Sequence, residues 1–152
     1  MEQLPSTLGE LKKSDWARRC SPDRTVKDEL RENLIAKIRS GERLFPGVVG
    51  YEESVVPAIE NAILAGHDLV FLGERGQAKT RMARLLVGLL DEWLPIVRGG
   101  ELNDDPYAPV SPAAKAIVER DGGATLIDWL HRDRRYAEKL ATPDITIADL
   151  IG

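Results

Sequence analysis

The sequence contains one cysteine, Cys20, and two histidines, His67 and His131. A single cysteine excludes an internal disulfide framework and any cysteine-rich zinc site. Two histidines leave little material for a histidine-based metal cluster, whereas one metal ion held by oxygen ligands and a phosphate stays compatible with the composition. Cys20 lies beside Arg18 and Arg19 and is a candidate reactive thiol, but no base or second thiol lies near it in the sequence.

Excess positive charge and long apolar runs are also absent. The formal net charge is −4, which argues against a protein held to nucleic acid or anionic lipid mainly by bulk charge. No apolar run approaches the roughly 20 residues that cross a bilayer, and the polar N-terminus has no apolar signal-peptide core. With 43% hydrophobic and 30% charged residues among 152, we expect one folded cytoplasmic domain, or part of one, with no membrane span and no nucleic-acid partner.

Hydrophobic periodicity predicts a helical first half. Residues 1–24 are polar and are expected to form a loosely ordered lead-in. Thr25 and Asp28 form a helix-start pattern, since hydroxyl and carboxylate both satisfy free backbone N–H groups, and Gly41 is a plausible stop for that amphipathic helix. A second helix is predicted over 52–65.

The second half alternates between helix and strand. The predicted elements, in chain order, are a buried strand over 68–72, a helix over 79–93, a short strand at 96–97, a helix over 112–120 capped by Ser111, a strand over 125–130 and a helix in the second half of 142–150. This alternation predicts an α/β layer with a mostly parallel sheet.

Residues 73–80, GERGQAKT, form the most informative motif. They follow the phosphate-binding pattern G-x-x-x-x-G-K-[ST], with Ala78 in the place of the last glycine. In such a loop backbone N–H groups form an anion-binding nest, Lys79 reaches the β- and γ-phosphates, and the Thr80 hydroxyl binds Mg²⁺. We therefore predict a nucleoside triphosphate and Mg²⁺ as ligands, Thr80 as a metal ligand, and nucleotide contacts from Gly73, Glu74, Arg75, Gly76, Gln77, Ala78, Lys79 and Thr80.

The alanine leaves a second interpretation of this motif open. A methyl group at position 78 is compatible with phosphate binding if the φ of Ala78 is negative and the methyl points away from the phosphates. Otherwise the segment is an ordinary glycine turn between strand and helix, with Lys79 in solvent.

At this point the sequence resembles a known family. The stretch LFPGVVGYEESVVPAIENAILAGHDLVFLGERGQAKTRMARLLVGLLDEW resembles the start of an AAA+ ATPase module, in the branch that contains the magnesium-chelatase ATPase subunit and the MoxR-type ATPases. MoxR-type proteins are similar in carrying alanine before the P-loop lysine. The later stretch, ELNDDPYAP through HRDRRYAEKLATPDITIADLIG, also resembles this group, so the likeness covers about 44–152.

The resemblance implies a fold and a domain organisation. The expected fold is a partial P-loop NTPase (AAA+) αβα domain with a mostly parallel sheet and an N-terminal helical extension. Residues 1–41 would be that extension, with one amphipathic helix, and 42–152 the N-terminal portion of the ATPase domain, ending before the Walker B strand.

The resemblance also implies further contacts and partners. The turn formed by Gly47, Val48, Val49 and Gly50 would lie against the adenine, and the alternative is a plain turn between two helices. AAA+ modules usually form rings, so a homo-oligomer is expected of the full-length protein. Its ATP hydrolysis would drive remodelling of a protein partner or metal insertion.

The acids that hydrolysis requires are not evident. Asp91 and Glu92 resemble a Walker B pair, but on the predicted helix Asp91 lies about 20 Å from Lys79. Asp128 is followed by a tryptophan where a glutamate is wanted. We assign no catalytic residue, and we keep two alternatives open: a small P-loop kinase, and a non-catalytic interaction module that retains a P-loop-like turn. The charged run 131–135 is expected on a solvated face.

Overall fold

The computed structural model describes residues 4–74, 76–139 and 146–148. The α-helices found there are α1 (Leu8–Lys13), α2 (Trp16–Arg19), α3 (Val26–Ser40), α4 (Val55–Leu64), α5 (Lys79–Leu85) and α6 (Pro112–Asp121). The strands are β1 (Trp93–Val97) and β2 (Ile127–His131), and short 3-10 turns span Leu86–Leu89, Gly122–Ala124 and Arg132–Arg135. No helix in these ranges is long and apolar enough to cross a membrane.

The sheet corrects the predicted fold class. Strands β1 and β2 pair antiparallel, with Trp93 opposite His131 and Val97 opposite Ile127. The described chain is thus a small helical domain with a two-stranded antiparallel sheet, and the predicted αβα P-loop fold with a mostly parallel sheet is wrong. The strands predicted at 96–97 and 125–130 exist, but the connection between them returns the chain to the same end of the sheet, so they run in opposite directions.

The segment before the phosphate-loop motif also differs from the prediction. Residues 68–72 have no strand partner within the described part of the chain. Val70 and Leu72 are 81% and 88% exposed, so the predicted buried strand is wrong. Leu69 and Phe71 are half-buried against the larger apolar cluster, so the segment covers one side of its chain without pairing as a strand.

The helix predicted over 79–93 is shorter than expected. Helix α5 ends at Leu85, a 3-10 turn follows to Leu89, and β1 begins at Trp93. Leu90 has extended backbone angles, and Gly88 within the turn has low helix propensity. Asp91 and Glu92 therefore lie between the 3-10 turn and the sheet rather than on a helix.

The N-terminal lead-in is folded rather than loosely ordered. Thr7 caps α1 by accepting a hydrogen bond from the Glu10 N–H at 3.3 Å. Leu8 and Leu11 are 2% and 0% exposed, and they pack against Ile127 of β2. The prediction failed here because a six-residue helix shows too few turns to reveal its apolar face by periodicity.

Two helices begin where the sequence predicts. Thr25 and Asp28 form a complete capping box at the start of α3, and Gly41 ends that helix with a φ of 75°. Ser111 caps α6 by accepting a hydrogen bond from the Ala114 N–H at 3.2 Å, with Pro112 in the first turn. Both predictions are confirmed, and both depend on side chains within a few residues of the helix start.

The apolar interior is divided into two clusters. The larger is built on α3, α4, α5 and the turns beside them, and its buried members are Leu34, Leu44, Phe45, Val48, Ile59, Ile63, Met82 and Leu89. The smaller joins α1 to the sheet, and its members are Leu8, Leu11 and Ile127, with Trp16, Tyr107, Val118 and Trp129 packed against them.

A buried polar network lies between the two halves. Glu29 of α3 is 4% exposed, and its carboxylate accepts two hydrogen bonds from the Arg135 guanidinium, at 2.7 and 2.6 Å. The same carboxylate accepts the Asp91 N–H at 2.6 Å. The Asp91 side chain in turn accepts from Arg24 at 2.5 Å and from Asn33 at 2.8 Å. The solvated face predicted for the run 131–135 is therefore wrong for Arg135.

This geometry predicts that Glu29 contributes strongly to stability. Glu29→Ala leaves the Arg135 guanidinium and the Asp91 N–H buried without their acceptor, and we expect the free energy of unfolding to fall by about 3 to 5 kcal/mol. Glu32→Ala on the same helix removes an exposed partner of Arg24 and is the matched control, with an expected loss of at most about 1 kcal/mol. Chemical denaturation followed by circular dichroism measures both values, and equal losses would contradict the prediction.

Candidate functional site

The phosphate-loop motif forms an exposed, strongly curved connection between residues 67–72 and α5. Positive φ angles occur at Gly73 (148°), Gly76 (84°) and Ala78 (55°). Such angles bend the backbone sharply at three separate positions of the loop. Arg75, one of the predicted nucleotide contacts, lies outside the described residues.

The Lys79 side chain folds back over the loop. Its ammonium donates hydrogen bonds to the backbone carbonyl of Gly73 at 2.8 Å and to that of Glu74. The Gln77 side chain also lies across the loop, since a Cβ atom on Gly73 would be 2.1 Å from the Gln77 Oε1. Glycine at position 73 is favoured by its φ of 148° rather than by this close approach, because the Gln77 side chain could move to make room for a Cβ.

The mouth of the loop is open. A cavity of about 470 Å³ is lined by Gly76, Gln77, Ala78, Lys79, Thr80 and Arg81. The hydrogen bonds of α5 begin with the Met82 N–H, which donates to the Ala78 carbonyl at 2.9 Å. Because the N–H groups of a first helical turn have no acceptor within the helix, those of Lys79 and Thr80 are free of helical bonds. The cavity is of the size that small-molecule sites usually have.

The turn over 47–50 lies beside this loop. The hydroxyl of Tyr51 donates to the Gln77 carbonyl at 3.4 Å, and an Arg81 guanidinium nitrogen lies 3.0 Å from the position of a Cβ on Gly47. Two distant segments that the sequence singles out are thus neighbours in the fold. Tyr51 and Arg81, which make these contacts, are not among the predicted site residues, although each directly follows a predicted member, Gly50 or Thr80.

The members of this turn differ in what they present to a ligand. Val48 is 7% exposed and belongs to the larger apolar cluster, whereas Val49 is 80% exposed. The Gly50 N–H donates to the Glu52 carboxylate at 2.7 Å, and hydrogen bonds from the backbone, this one among them, lower the pKa of Glu52. Val49 is therefore the side chain of the turn that is free to contact a flat apolar ligand.

Ala78 adopts a left-handed backbone conformation, which is uncommon for alanine. Its φ is 55°, so the condition stated for phosphate binding, a negative φ at this alanine, is not met, and this observation favours the ordinary glycine turn. Among the described residues it is the one non-glycine residue with positive φ. A left-handed conformation costs an L-residue with a Cβ about 1 to 2 kcal/mol, and the strain lies in the loop itself.

The carboxylates considered for hydrolysis lie elsewhere. Asp91 belongs to the buried network with Arg24 and Asn33, and Asp128 of β2 accepts a hydrogen bond from Arg98 at 2.8 Å. Within the described ranges no group of three or more histidine, cysteine, aspartate or glutamate side chains is placed to hold a metal ion. Thr80 remains the predicted metal ligand, and its side chain lies at the exposed mouth of the loop.

Comparisons with protein-family models, with curated proteins and with solved structures find no match to this chain.

The strain at Ala78 predicts opposite effects of glycine at two nearby positions. Ala78→Gly removes the Cβ from a left-handed residue, and after the entropy cost of glycine we expect a gain in the free energy of unfolding of about 0.5 kcal/mol. Ala83→Gly, within α5, is expected to lose about 1 kcal/mol because glycine disfavours a helix interior. Thermal and chemical denaturation measure both changes, and a loss at position 78 would mean that this loop has another conformation.

Cys20 is predicted to be inert in the folded protein. It is 8% exposed, and burial, aided by the negative charges of Asp105 and Asp91, raises the pKa of its thiol to about 12. Since the thiolate is the reactive form, we expect a disulfide reagent at pH 8 to modify the native protein at least about a hundredfold more slowly than the denatured protein. Rapid, complete labelling of the native chain would contradict this placement.

Proposed function

We propose that this chain binds ATP with Mg²⁺ at the loop 73–80. The observation that carries the proposal is the position of the Lys79 ammonium, which lies over the loop and is held by the carbonyls of Gly73 and Glu74. Lys79 is also one of the residues that line the open cavity at the mouth of the loop. Phosphate oxygens are stronger acceptors for an ammonium than neutral carbonyls, because both partners then carry charge.

The remaining contacts of the polyphosphate follow from the loop residues. The first-turn N–H groups of α5 and the curved backbone of Gly76 to Ala78 would donate hydrogen bonds to phosphate oxygens. The Thr80 hydroxyl, at the same mouth, would be one ligand of Mg²⁺, and phosphate oxygens and water would complete the shell.

The nucleoside end of the ligand would lie toward the turn over 47–50. Tyr51 and Arg81 join this turn to the phosphate loop, and the exposed Val49 side chain offers an apolar surface for an aromatic base. Val48 is buried beneath it, so its role would be to support the turn rather than to contact the base.

The wider role follows from the resemblance of 44–152 to the magnesium-chelatase and MoxR group. In this proposal the chain belongs to a cytoplasmic, ring-forming ATPase that remodels a protein partner or assists metal insertion. The described residues place no acid pair at the loop, with Asp91 and Asp128 both held in ion pairs elsewhere. The chain as described would therefore bind the nucleotide without hydrolysing it appreciably.

Replacing Lys79 tests this proposal directly. Lys79→Ala removes a charge-assisted hydrogen bond to phosphate, and we expect the Kd for Mg·ATP to rise about ten- to a hundredfold. Lys115→Ala, at an exposed position of α6, is the matched control and should leave binding unchanged. Thr80→Ala should weaken binding in the presence of Mg²⁺ and have little effect when EDTA is present.

Isothermal titration calorimetry with each variant measures these changes, and circular dichroism checks that each is folded. If the native chain binds no Mg·ATP, or if Lys79→Ala binds as well as Lys115→Ala, the proposed function is wrong. The interaction-module alternative then accounts better for the loop. Transfer of phosphate from ATP to a small molecule by this chain alone would favour the kinase instead.

A further inference from the structure

The segment that follows β2 crosses the helix that begins with Lys79. We call residues 132–138 the strap. The Arg132 N–H donates to the Glu92 carbonyl at 3.0 Å, and the Arg132 guanidinium donates to the carbonyls of Gly88 and Leu90 at 3.5 and 3.3 Å. The strap thus binds the last carbonyls of the 3-10 turn that continues α5, which lack partners within the turn.

A second contact of the strap reaches the last turn of α5. Arg84 donates two hydrogen bonds to the Glu138 carboxylate, from Nε at 2.8 Å and from Nη2 at 2.7 Å. The Tyr136 hydroxyl donates to the same carboxylate at 3.1 Å. This forked geometry fixes the direction of the guanidinium as well as its distance.

The strap is itself anchored to the body of the protein. Arg135, in its middle, forms the buried bidentate pair with Glu29 of α3. The strap therefore joins α3, which contributes Leu34 to the larger apolar cluster, to both α5 and the turn after it. Arg84 lies four residues after Thr80, one helical turn along the same face.

The strap adds to the constraints that side-chain packing places on the phosphate loop. The segment 68–72 that leads into it has no strand partner among the residues described, but its Leu69 and Phe71 pack against the larger apolar cluster. Core packing of Met82 and Leu85 limits the movement of α5, and the ion pair between Arg84 and Glu138 holds its exposed face. A small rotation would displace both the Lys79 ammonium and the Thr80 hydroxyl, and contacts to phosphate are sensitive to displacements of about 1 Å.

We propose that the strap holds α5 in the orientation that aims Lys79 and Thr80 at the phosphates, with Arg84 and Glu138 as its positioning residues. This inference rests on the proposed function, and it adds to that function two residues that touch no ligand. A surface pair of this kind changes binding modestly, because exposed ion pairs contribute little individually.

Charge reversal and rescue test the strap. Glu138→Arg places two guanidinium groups in contact, and we expect the Kd for Mg·ATP to rise about threefold at low ionic strength, with the difference shrinking at high salt. The double variant Arg84→Glu with Glu138→Arg restores the pair in reverse and is expected to restore the native Kd. Asp121→Arg is the matched control, since it breaks an exposed bidentate pair with Arg120 on α6 and should leave Kd unchanged.

Calorimetry gives the Kd of each variant, and a thermal melt of each shows whether all remain folded at the titration temperature. A native Kd in Glu138→Arg, or a failure of the double variant to recover, would overturn the inference while leaving the proposed function intact. An equal weakening in Asp121→Arg would overturn it as well, because the effect would then be one of general stability. Native binding by Lys79→Ala would remove the proposed function itself, and the strap's role with it.

Discussion

The bidentate pair between Glu29 and Arg135 is the interaction on which the rest of the structure depends. It joins α3 to a segment more than a hundred residues later in the chain, and it does so where both side chains are almost excluded from water. A buried charge is tolerated only when its partner and its hydrogen bonds are complete. The Glu29 carboxylate meets this condition by accepting the Asp91 N–H as well. The Glu29 carboxylate thus contacts both the segment after β2, through Arg135, and the segment after the 3-10 turn, through Asp91. These contacts hold α3, that turn and the sheet in place relative to one another.

The contacts around Glu29 also help to determine where the candidate loop lies. The chain passes from Lys79 through α5 and a 3-10 turn to Asp91, whose side chain is held by Arg24 and Asn33. The helix is therefore secured at its far end by polar contacts and along one side by apolar packing, while its near end carries the exposed loop. A rigid far end and an open near end are the arrangement expected of a site that receives a ligand from solvent.

Local features of this fold could be predicted from the sequence, and distant ones could not. The start of α3 at its capping box and of α6 at Ser111 depend on hydrogen bonds within three residues, so the sequence pattern contains them. The curved loop at 73–80 was likewise evident from its glycines and lysine. The antiparallel pairing of β1 with β2 depends on the path of the long connection between them. Hydrophobic periodicity within each strand carries no information about that path. The burial of Arg135 depends on its tertiary pair with Glu29, so no local pattern signals it, whereas the positive φ of Ala78 falls at the position where the motif has glycine.

The Lys79 ammonium is already satisfied by two carbonyl oxygens of its own loop, and this has a consequence for selectivity. An anion that enters the loop has to displace those oxygens before it gains the cation. A small monovalent ion such as chloride exchanges one weak set of contacts for another and gains little. In the proposed function, a chain of linked phosphates would engage the ammonium and several amide groups at once, so that its gain would exceed the cost of displacement. The folded-back lysine would then discriminate between anions by valence and length, and common buffer salts would be poor competitors at this loop.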